Sequence, residues 1–140
     1  MNIDSIENGV VIDHIDAGKG MEIVRLLGLE KLTCPVAVIR NARSSKSGKK
    51  DIIKIEDAID LDFDVLGFID PTITVNVISN GHIVEKKRIA PPRKVTNVVK
   101  CKNPRCITSV ERELPQVFYK AENSEVYRCT YCEQEYQRSE

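Results

Sequence analysis

The sequence predicts an α+β protein whose first part is a ferredoxin-like sandwich, an antiparallel sheet with two helices on one face, followed by a small all-β domain. Three observations predict it. Runs rich in β-branched residues alternate with helical apolar patterns, a Pro-Pro step at 91–92 interrupts the chain, and two short cysteine pairs follow that step. The first domain is predicted over 1–92 and the second over 97–140.

Composition excludes several classes of protein. The 140 residues suffice for one ordinary domain or two small ones. The 21 basic and 21 acidic residues give a net charge of zero, so no uniform basic field favours nucleic acid. No apolar run approaches the roughly 20 residues of a membrane span. The first residues lack the basic start and apolar stretch of a signal peptide, so we expect the cytoplasm.

The first strand is predicted over Val10–Ile15, after a turn at Asn8-Gly9. Asp13 and His14 are its unusual members, because a buried strand does not normally carry a carboxylate and an imidazole side by side. Alternation predicts that they point to opposite faces. For His14, a ligand-binding role and a simple hydrogen-bonded strand histidine both remain open.

A helix is predicted over 19–29, where apolar residues follow helical spacing and Asp16 can cap the first turn. Either Gly28 or the turn after Leu29 is expected to end it. A second strand follows at Val36–Ile39. Cys34, just before it, is expected to be a small buried hydrophobe.

Residues 43–50 are predicted to form a polar loop and Asp51–Ile55 a third strand. Lys54 interrupts that apolar run, as either a solvated edge lysine or a ligand contact. Residues 56–70 are acidic and weakly helical, and Pro71 ends that element.

The fourth and fifth strands are predicted at 72–78 and 83–89. Asn80-Gly81 between them suits a two-residue hairpin turn, which requires positive φ angles. The order β-α-β-β-α-β-β then places helices on one face of a mainly antiparallel sheet. Residues 90–93 form a stiff linker because two prolines remove backbone donors.

Four cysteines dominate the second domain. One pair has four residues between its members, the other has two, and 22 residues separate the pairs; they are Cys101, Cys106, Cys129 and Cys132. Such spacing predicts a zinc-ribbon-like fold with a tetrahedral Zn²⁺ site, and short strands at 117–119 and 126–128 fit between the pairs. The alternatives are two disulfides or four unconnected core cysteines, which the paired short spacings in a chain without a secretion signal disfavour. Four protein ligands close the site, so the zinc is structural, and so small a domain needs it in order to fold.

Two functional classes compete with a plain binding module. From Lys86 through Arg105 there are eight basic residues and no acidic one, a stripe that suits nucleic acid, a triphosphate or an acidic partner. Residues 107–140, however, carry four basic and seven acidic residues, which disfavours a nucleic-acid-binding zinc ribbon. The sequence has neither a phosphate-binding glycine loop nor a set of residues that would activate a nucleophile, so nothing in it indicates an enzyme. Asp13 with Lys54 and Lys86 can instead bind a ligand, since a carboxylate accepts from ribose hydroxyls and lysines pair with phosphates.

Three stretches together resemble one family. They are Gly9–Ile15, Gly48–Glu56, and Thr74–Asn76 followed by the cysteine quartet. In these the chain resembles the regulatory chains of aspartate carbamoyltransferase. The resemblance implies a non-catalytic subunit that controls pyrimidine biosynthesis, with ATP as activator and CTP with UTP as inhibitors. It also implies that the zinc domain docks on the catalytic chain, that regulatory chains pair through their N-terminal domains, and that two catalytic trimers and three regulatory dimers form a dodecamer.

The resemblance also implies the residues of a nucleotide site. Asp13, Lys54 and Lys86 would hold ribose, base and phosphates, with His14 beside the phosphates and Lys50 as a second phosphate contact. The remaining members of the implied site are Val11, Ile78 and Ile83 as walls, Ser5 and Ile6 through backbone groups, and Asn76.

Overall fold

A computed structural model describes residues 5–45 and 48–136 of the chain. The chain divides into two compact units, Met1–Pro91 and Pro92–Glu140. The first contains a five-stranded antiparallel sheet and the second a three-stranded sheet with a cysteine cluster, which confirms the predicted α+β class. No helix in the described ranges is both long and apolar enough to cross a membrane.

The first unit follows the predicted order of elements. These are β1 (Gly9–Asp16), α1 (Gly20–Leu26), a 3-10 turn (Leu29–Lys31), β2 (Val36–Ser44), β3 (Gly48–Ile55), α2 (Phe63–Ile69), β4 (Thr74–Ser79) and β5 (His82–Arg88). The strands lie in the order β2-β3-β1-β4-β5, and every neighbouring pair is antiparallel. The first strand in the chain therefore lies at the centre of the sheet.

One face of this sheet packs on both helices. Ile12, Ile53 and Val75 occupy one row across β1, β3 and β4, and each is almost fully buried. Lys87, which pairs with Val75 on that face, places its Nζ 4.8 Å from the centre of the Phe63 ring in α2. Helix α1 packs on α2 and on β3. Both helices therefore cover the same face, and the opposite face is available for a ligand.

The second unit is built on a short sheet in the order β6-β7-β8. Its elements are β6 (Lys94–Thr96), α3 (Ile107–Val110), β7 (Val117–Lys120) and β8 (Tyr127–Cys129). Its buried apolar side chains are few, with Val95, Phe118 and Tyr127 at the centre. Because this core is so small, we expect most of the folding free energy of this unit to come from metal binding at the cysteine cluster.

Several local predictions were wrong. The predicted loop at 43–50 is mostly strand, because β2 continues through Ser44 and β3 begins at Gly48; residues 46–47 lie outside the described ranges. The helix predicted over 19–29 ends at Leu26, since Gly28 has a φ of 65° and starts a separate turn. Asp16 does not cap the helix through its side chain, which instead forms an ion pair with Lys19 at 3.7 Å. Cys34 is half-buried rather than buried.

The hairpin turn between β4 and β5 was predicted correctly. Asn80 and Gly81 have φ angles of 52° and 79°, the positive values that a two-residue hairpin of this type requires. The N–H of Gly81 donates to the carbonyl of Glu7 at 2.8 Å, and the N–H of Asn80 donates to Asn8 Oδ1 at 3.1 Å. The turn thus fastens the N-terminal segment beside β4 and β5.

A test of the packing is available at Gly67, in the buried helix α2. A Cβ there would lie 2.2 Å from the carbonyl oxygen of Ala90, which is backbone and has no side-chain rotamer to change. Helix propensity favours Ala over Gly by about 1 kcal/mol, whereas overpacking of this kind costs about 1–3 kcal/mol or more. We expect Gly67→Ala to lower the free energy of unfolding of the first unit, measured by urea denaturation with far-UV circular dichroism. Met21→Ala, at an exposed position of α1, is the control, and equal stability of both variants would refute the contact.

Candidate functional sites

Four of the predicted nucleotide contacts lie in one row across the face of the sheet that the helices do not cover, which we call the free face. Lys54 of β3 is opposite Val11 of β1, Val11 is opposite Asn76 of β4, and Asn76 is opposite Lys86 of β5. Strands are about 4.8 Å apart, so the backbones of the two lysines are separated by roughly 14 Å. The row therefore has an apolar side chain, Val11, and an amide, Asn76, in the middle, and a lysine at each end.

A β-bulge changes the predicted direction of His14. The pairing of β1 with β3 shifts between Ile12 and Ile15, and His14 has a φ of 57°. Its Nδ1 lies 2.9 Å from Thr74 Oγ1, and Thr74 pairs with Asp13 on the free face. Asp13 and His14 therefore serve the same face, and the prediction of opposite faces was wrong because regular alternation fails at a bulge.

Buried polar groups hold this bulge in place. Asp70, which is 1% exposed, accepts the N–H of Asp16 at 2.8 Å and the hydroxyl of Thr72 at 2.6 Å. Thr72 Oγ1 also lies 3.2 Å from the carbonyl oxygen of His14. The carbonyl of His14 and the N–H of Asp16 are thus tied to residues at the end of α2 and just after it, which offsets the cost of a left-handed conformation at a non-glycine residue.

A cavity of about 490 Å³ opens beside His14. Lys86 and Arg88 line it together with His14, Thr72 and Thr74, so cationic and hydroxyl groups converge there. The carboxylate of Asp16 also lines it and is paired with Lys19. These groups suit phosphate oxygens. Sequence reasoning missed Arg88, although its position two residues after Lys86 on a strand places it on the same face.

Asp13 is paired with Lys50 across the bulge, at 3.0 Å from Lys50 Nζ to Asp13 Oδ1. Burial by itself would raise the pKa of Asp13, but the hydrogen bonds from Lys50 and from the His14 N–H outweigh it and lower the pKa below the ordinary 3.8. Asp13 is therefore a carboxylate acceptor at neutral pH. Lys50, predicted as a phosphate contact, is engaged by this pair.

The Asp13–Lys50 pair allows a second test. A depressed folded-state pKa contributes stability that is present above about pH 4 and is lost as the pH falls through the folded value. Lys50→Met removes the hydrogen bond and the positive charge of Lys50, which lower the pKa of Asp13, so we expect that pKa to rise, as followed by ¹³C NMR of the carboxyl group. Lys87→Met, on the helix-covered face, is the matched control and should leave that pKa unchanged. An unaltered pKa in Lys50→Met would contradict the pairing.

Asn76 carries the most direct sign of a ligand. The residue is 8% exposed, and its Oδ1 is buried without a hydrogen-bond partner within the described part of the chain. Buried polar atoms in folded proteins are nearly always paired, and an unpaired acceptor costs about 1–3 kcal/mol. An acceptor of this kind in the middle of the row suits a donor from a bound molecule, such as an amine or a hydroxyl.

The remaining predicted contacts lie at the hairpin end of the same sheet. Ile78 pairs with Ile83, in a register that follows a second bulge. Ile83 is 59% exposed and Ile78 half-buried, so the apolar wall is open at β5. Ser5 is exposed and Ile6 is buried, and both directly precede the segment that Gly81 fastens. The structure thus brings the predicted set to one face and one end of the sheet.

The four cysteines of the second unit converge. Their sulfur atoms all lie within 4.8 Å of one another, with 3.7 Å between Cys101 and Cys132 and 3.7 Å between Cys106 and Cys129. A tetrahedral ion with metal–sulfur bonds of about 2.3 Å requires roughly 3.8 Å between sulfurs, whereas a disulfide requires about 2.05 Å. The sulfur atoms therefore fit a metal and not the alternative of two disulfides.

The environment of the sulfurs also favours a cation. Burial and the neighbouring thiols raise the pKa of Cys101 to about 12. Burial opposes ionisation of Cys132 too, but hydrogen bonds from the Asn103 side chain and the Gln134 backbone lower its pKa to about 7. Four thiols this close cannot all ionise unless a cation compensates their charge.

Comparisons with known proteins cover both units of the chain. A family model described as the allosteric domain of the aspartate carbamoyltransferase regulatory chain matches residues 1–90, and one described as its metal binding domain matches residues 93–140. A protein of Clostridium botulinum strain Hall is 56% identical over 97% of this chain and 94% of its own length. Proteins of Clostridium tetani and Bifidobacterium longum are 51% and 43% identical, over 97% and 96% of this chain and 96% and 98% of their own lengths. All three are named aspartate carbamoyltransferase regulatory chain.

Proposed function

This chain belongs to the family of aspartate carbamoyltransferase regulatory chains, and we propose that it binds ATP, CTP and UTP in its first unit and transmits their effect through its second. As a regulatory chain it is a non-catalytic subunit, and its partner is the catalytic chain of the enzyme. The alternative of a nucleic-acid-binding zinc ribbon is not favoured, since the matches cover both units.

The observation that carries nucleotide binding is the row from Lys54 to Lys86, with the unpaired Asn76 Oδ1 between them. The cavity at the Lys86 end, with His14 and Arg88, receives the phosphates. The Lys54 end then receives the base and ribose. A ligand that spans the row contacts the buried amide and both lysines at once, whereas a phosphate or a nucleoside alone contacts only part of the row.

Individual roles follow from the same arrangement. Asp13 is an ionised acceptor beside the row and accepts from ribose hydroxyls, while Lys50 keeps it ionised and approaches the phosphates when the pair opens. Val11 lies under the ligand. Apolar walls come from Ile78 and Ile83, and the backbone of Ser5 and Ile6 supplies groups that recognise the base edge.

The second unit holds one Zn²⁺ and docks on the catalytic chain. Tetrahedral sites with four sulfur ligands are occupied by zinc or by iron, and zinc is the proposed ion because it needs no redox partner. The cysteines leave no coordination position for a substrate, so the ion acts by holding residues 97–140 in a shape that the partner recognises.

For the assembly, we propose that two regulatory chains form a dimer through residues 1–92. Three such dimers then join two catalytic trimers in a dodecamer. The compartment is the cytoplasm, where thiols remain reduced and available for a metal.

The test is reconstitution with a catalytic trimer. We expect the zinc-loaded chain to form a larger complex in size-exclusion chromatography and to make carbamoyltransferase activity respond to ATP, CTP and UTP. The trimer alone is the control and should not respond. A Lys54→Ala/Lys86→Ala chain should assemble normally and lose the response. Assembly of the wild-type chain with no nucleotide response would overturn the effector role, and no assembly would overturn the docking role.

A further inference from the structure

Thr108 lies against the cysteine cluster without belonging to it. It occupies the short helix α3 and is 3% exposed. Its Oγ1 donates a hydrogen bond to Cys106 Sγ at 3.1 Å, and Cys106 is itself 1% exposed. A buried hydroxyl and a buried sulfur ligand are therefore paired with each other.

This hydroxyl–sulfur pair suits a sulfur that is bound to a metal ion. A buried hydroxyl without a good partner destabilises the fold, and a neutral thiol is a weak acceptor. A thiolate is a much better one, because hydrogen bonds to charged groups are roughly twice as strong as neutral ones. Four thiolates around one divalent ion leave a net charge of about −2 to be stabilised in a small domain. The hydroxyl of Thr108 stabilises part of that charge.

The sulfurs of the cluster are supported by backbone N–H groups or by side chains, and Cys132, like Cys106, receives a side-chain group, that of Asn103. The sulfur of Cys129 receives backbone N–H groups of Tyr131 and Cys132, and that of Cys101 receives the backbone of Asn103. The Cys106 sulfur accepts a hydrogen bond from the side-chain hydroxyl of Thr108, two positions later in the chain. The orientation of this ligand therefore depends on a group that a substitution can remove without changing the backbone.

We propose that Thr108 is a positioning residue of the metal centre, whose hydroxyl holds the Cys106 thiolate on the ion and slows metal release. The inference rests on the proposed metal site of the second unit and goes beyond it by assigning a determinant of metal retention. Hydrogen-bond partners of metal ligands are typically worth 10–100-fold in metal affinity.

The test compares Thr108→Val, which keeps the shape and loses the hydroxyl, with Thr108→Ser, which keeps the hydroxyl. Zinc transfer from the full-length chain to a colorimetric chelator is timed at fixed pH. We expect Thr108→Val to release zinc about tenfold faster or more and Thr108→Ser to remain near the wild type. A second pair, Thr108→Ala against Thr108→Ser, isolates the hydroxyl if the valine variant does not fold with metal.

Cobalt substitution supplies a readout that packing alone does not change. The sulfur-to-cobalt charge-transfer band reports the energy of the sulfur lone pairs, which a hydrogen bond lowers. We expect the band to move to lower energy in Thr108→Val and to stay in place in Thr108→Ser. Wild-type release rates and bands in the variants that lack the hydroxyl would overturn the proposal, as would equal acceleration in the serine variant. A wild-type chain that binds neither zinc nor cobalt would instead overturn the metal site itself.

Discussion

Removal of the metal should unfold the second unit and leave the first unit folded. The second unit buries few apolar side chains, whereas the first has a continuous core that includes Ile12, Ile53, Leu66 and Phe68. A mercurial with a chelator, or Cys129→Ser, removes a ligand that a closed four-sulfur site cannot replace. We expect the stripped chain to lose assembly with the catalytic trimer completely and to retain CTP binding.

The sequence provides its own probes for this experiment. The chain has no tryptophan, and its four tyrosines all lie between 119 and 136, so tyrosine fluorescence reports the second unit alone. Amide hydrogen exchange of residues 5–91 reports the first. Because the mercurial also attacks Cys34, the comparison is made in a Cys34→Ser background, which should behave as the wild type.

Two results would contradict this expectation. Metal-free chain that still assembles would show that the second unit does not dock through its metal-dependent shape. Loss of CTP binding together with assembly would show that the first unit depends on the second for its fold. Cys129→Ser must agree with the stripped protein, since both act on the same ion.

Loss of the two row lysines should nearly abolish nucleotide binding. A charge-assisted contact is worth about 1.5–3 kcal/mol, so Lys54→Ala and Lys86→Ala should each weaken CTP and ATP by about tenfold or more. The double variant should lose about a hundredfold or more, since the two positions are well separated and their effects add. Isothermal titration calorimetry of the full-length chain measures all three.

The two lysines should differ in what they recognise. Lys86 lines the cavity with His14 and Arg88, so Lys86→Ala should weaken CTP more than CMP. Lys54→Ala should weaken both ligands to a similar extent. Lys87→Ala is the matched control, because Lys87 lies beside Lys86 in sequence but over the Phe63 ring on the other face. If Lys54→Ala and Lys86→Ala both bind nucleotides with wild-type affinity, the nucleotide site does not lie on this face of the sheet.

Patterns of period two accounted for much of the candidate site. Lys54, Val11, Asn76 and Lys86 fall on one face because each strand alternates regularly there. The hairpin at Asn80-Gly81 and the cysteine quartet could also be predicted from the sequence, because positive φ angles and metal coordination geometry each restrict the residue types that fit. The nucleotide assignments themselves came from the resemblance and stay predictions.

The features that sequence reasoning missed depend on tertiary contacts. The bulge at His14 is held by Asp70 and Thr72, which come more than fifty residues later and have no local signature of that role. Helix α3 is a single turn of four residues, too short for any periodic signal. Gly28, one of the two ends predicted for helix α1, adopts a left-handed conformation, but the helix itself ends two residues earlier, at Leu26.

The central position of β1 has a consequence for synthesis on the ribosome. The strand emerges first, yet Val10 pairs with Ile55 on one side and with Val77 on the other. Contacts so distant along the chain form late, because loop-closure entropy must be lost before they stabilise anything. The nascent sheet therefore cannot close until β4 has left the exit tunnel, and until then an apolar strand without its neighbours is exposed to aggregation. Chaperone dependence during synthesis should accordingly be concentrated in nascent chains in which residue 79 has not yet left the exit tunnel.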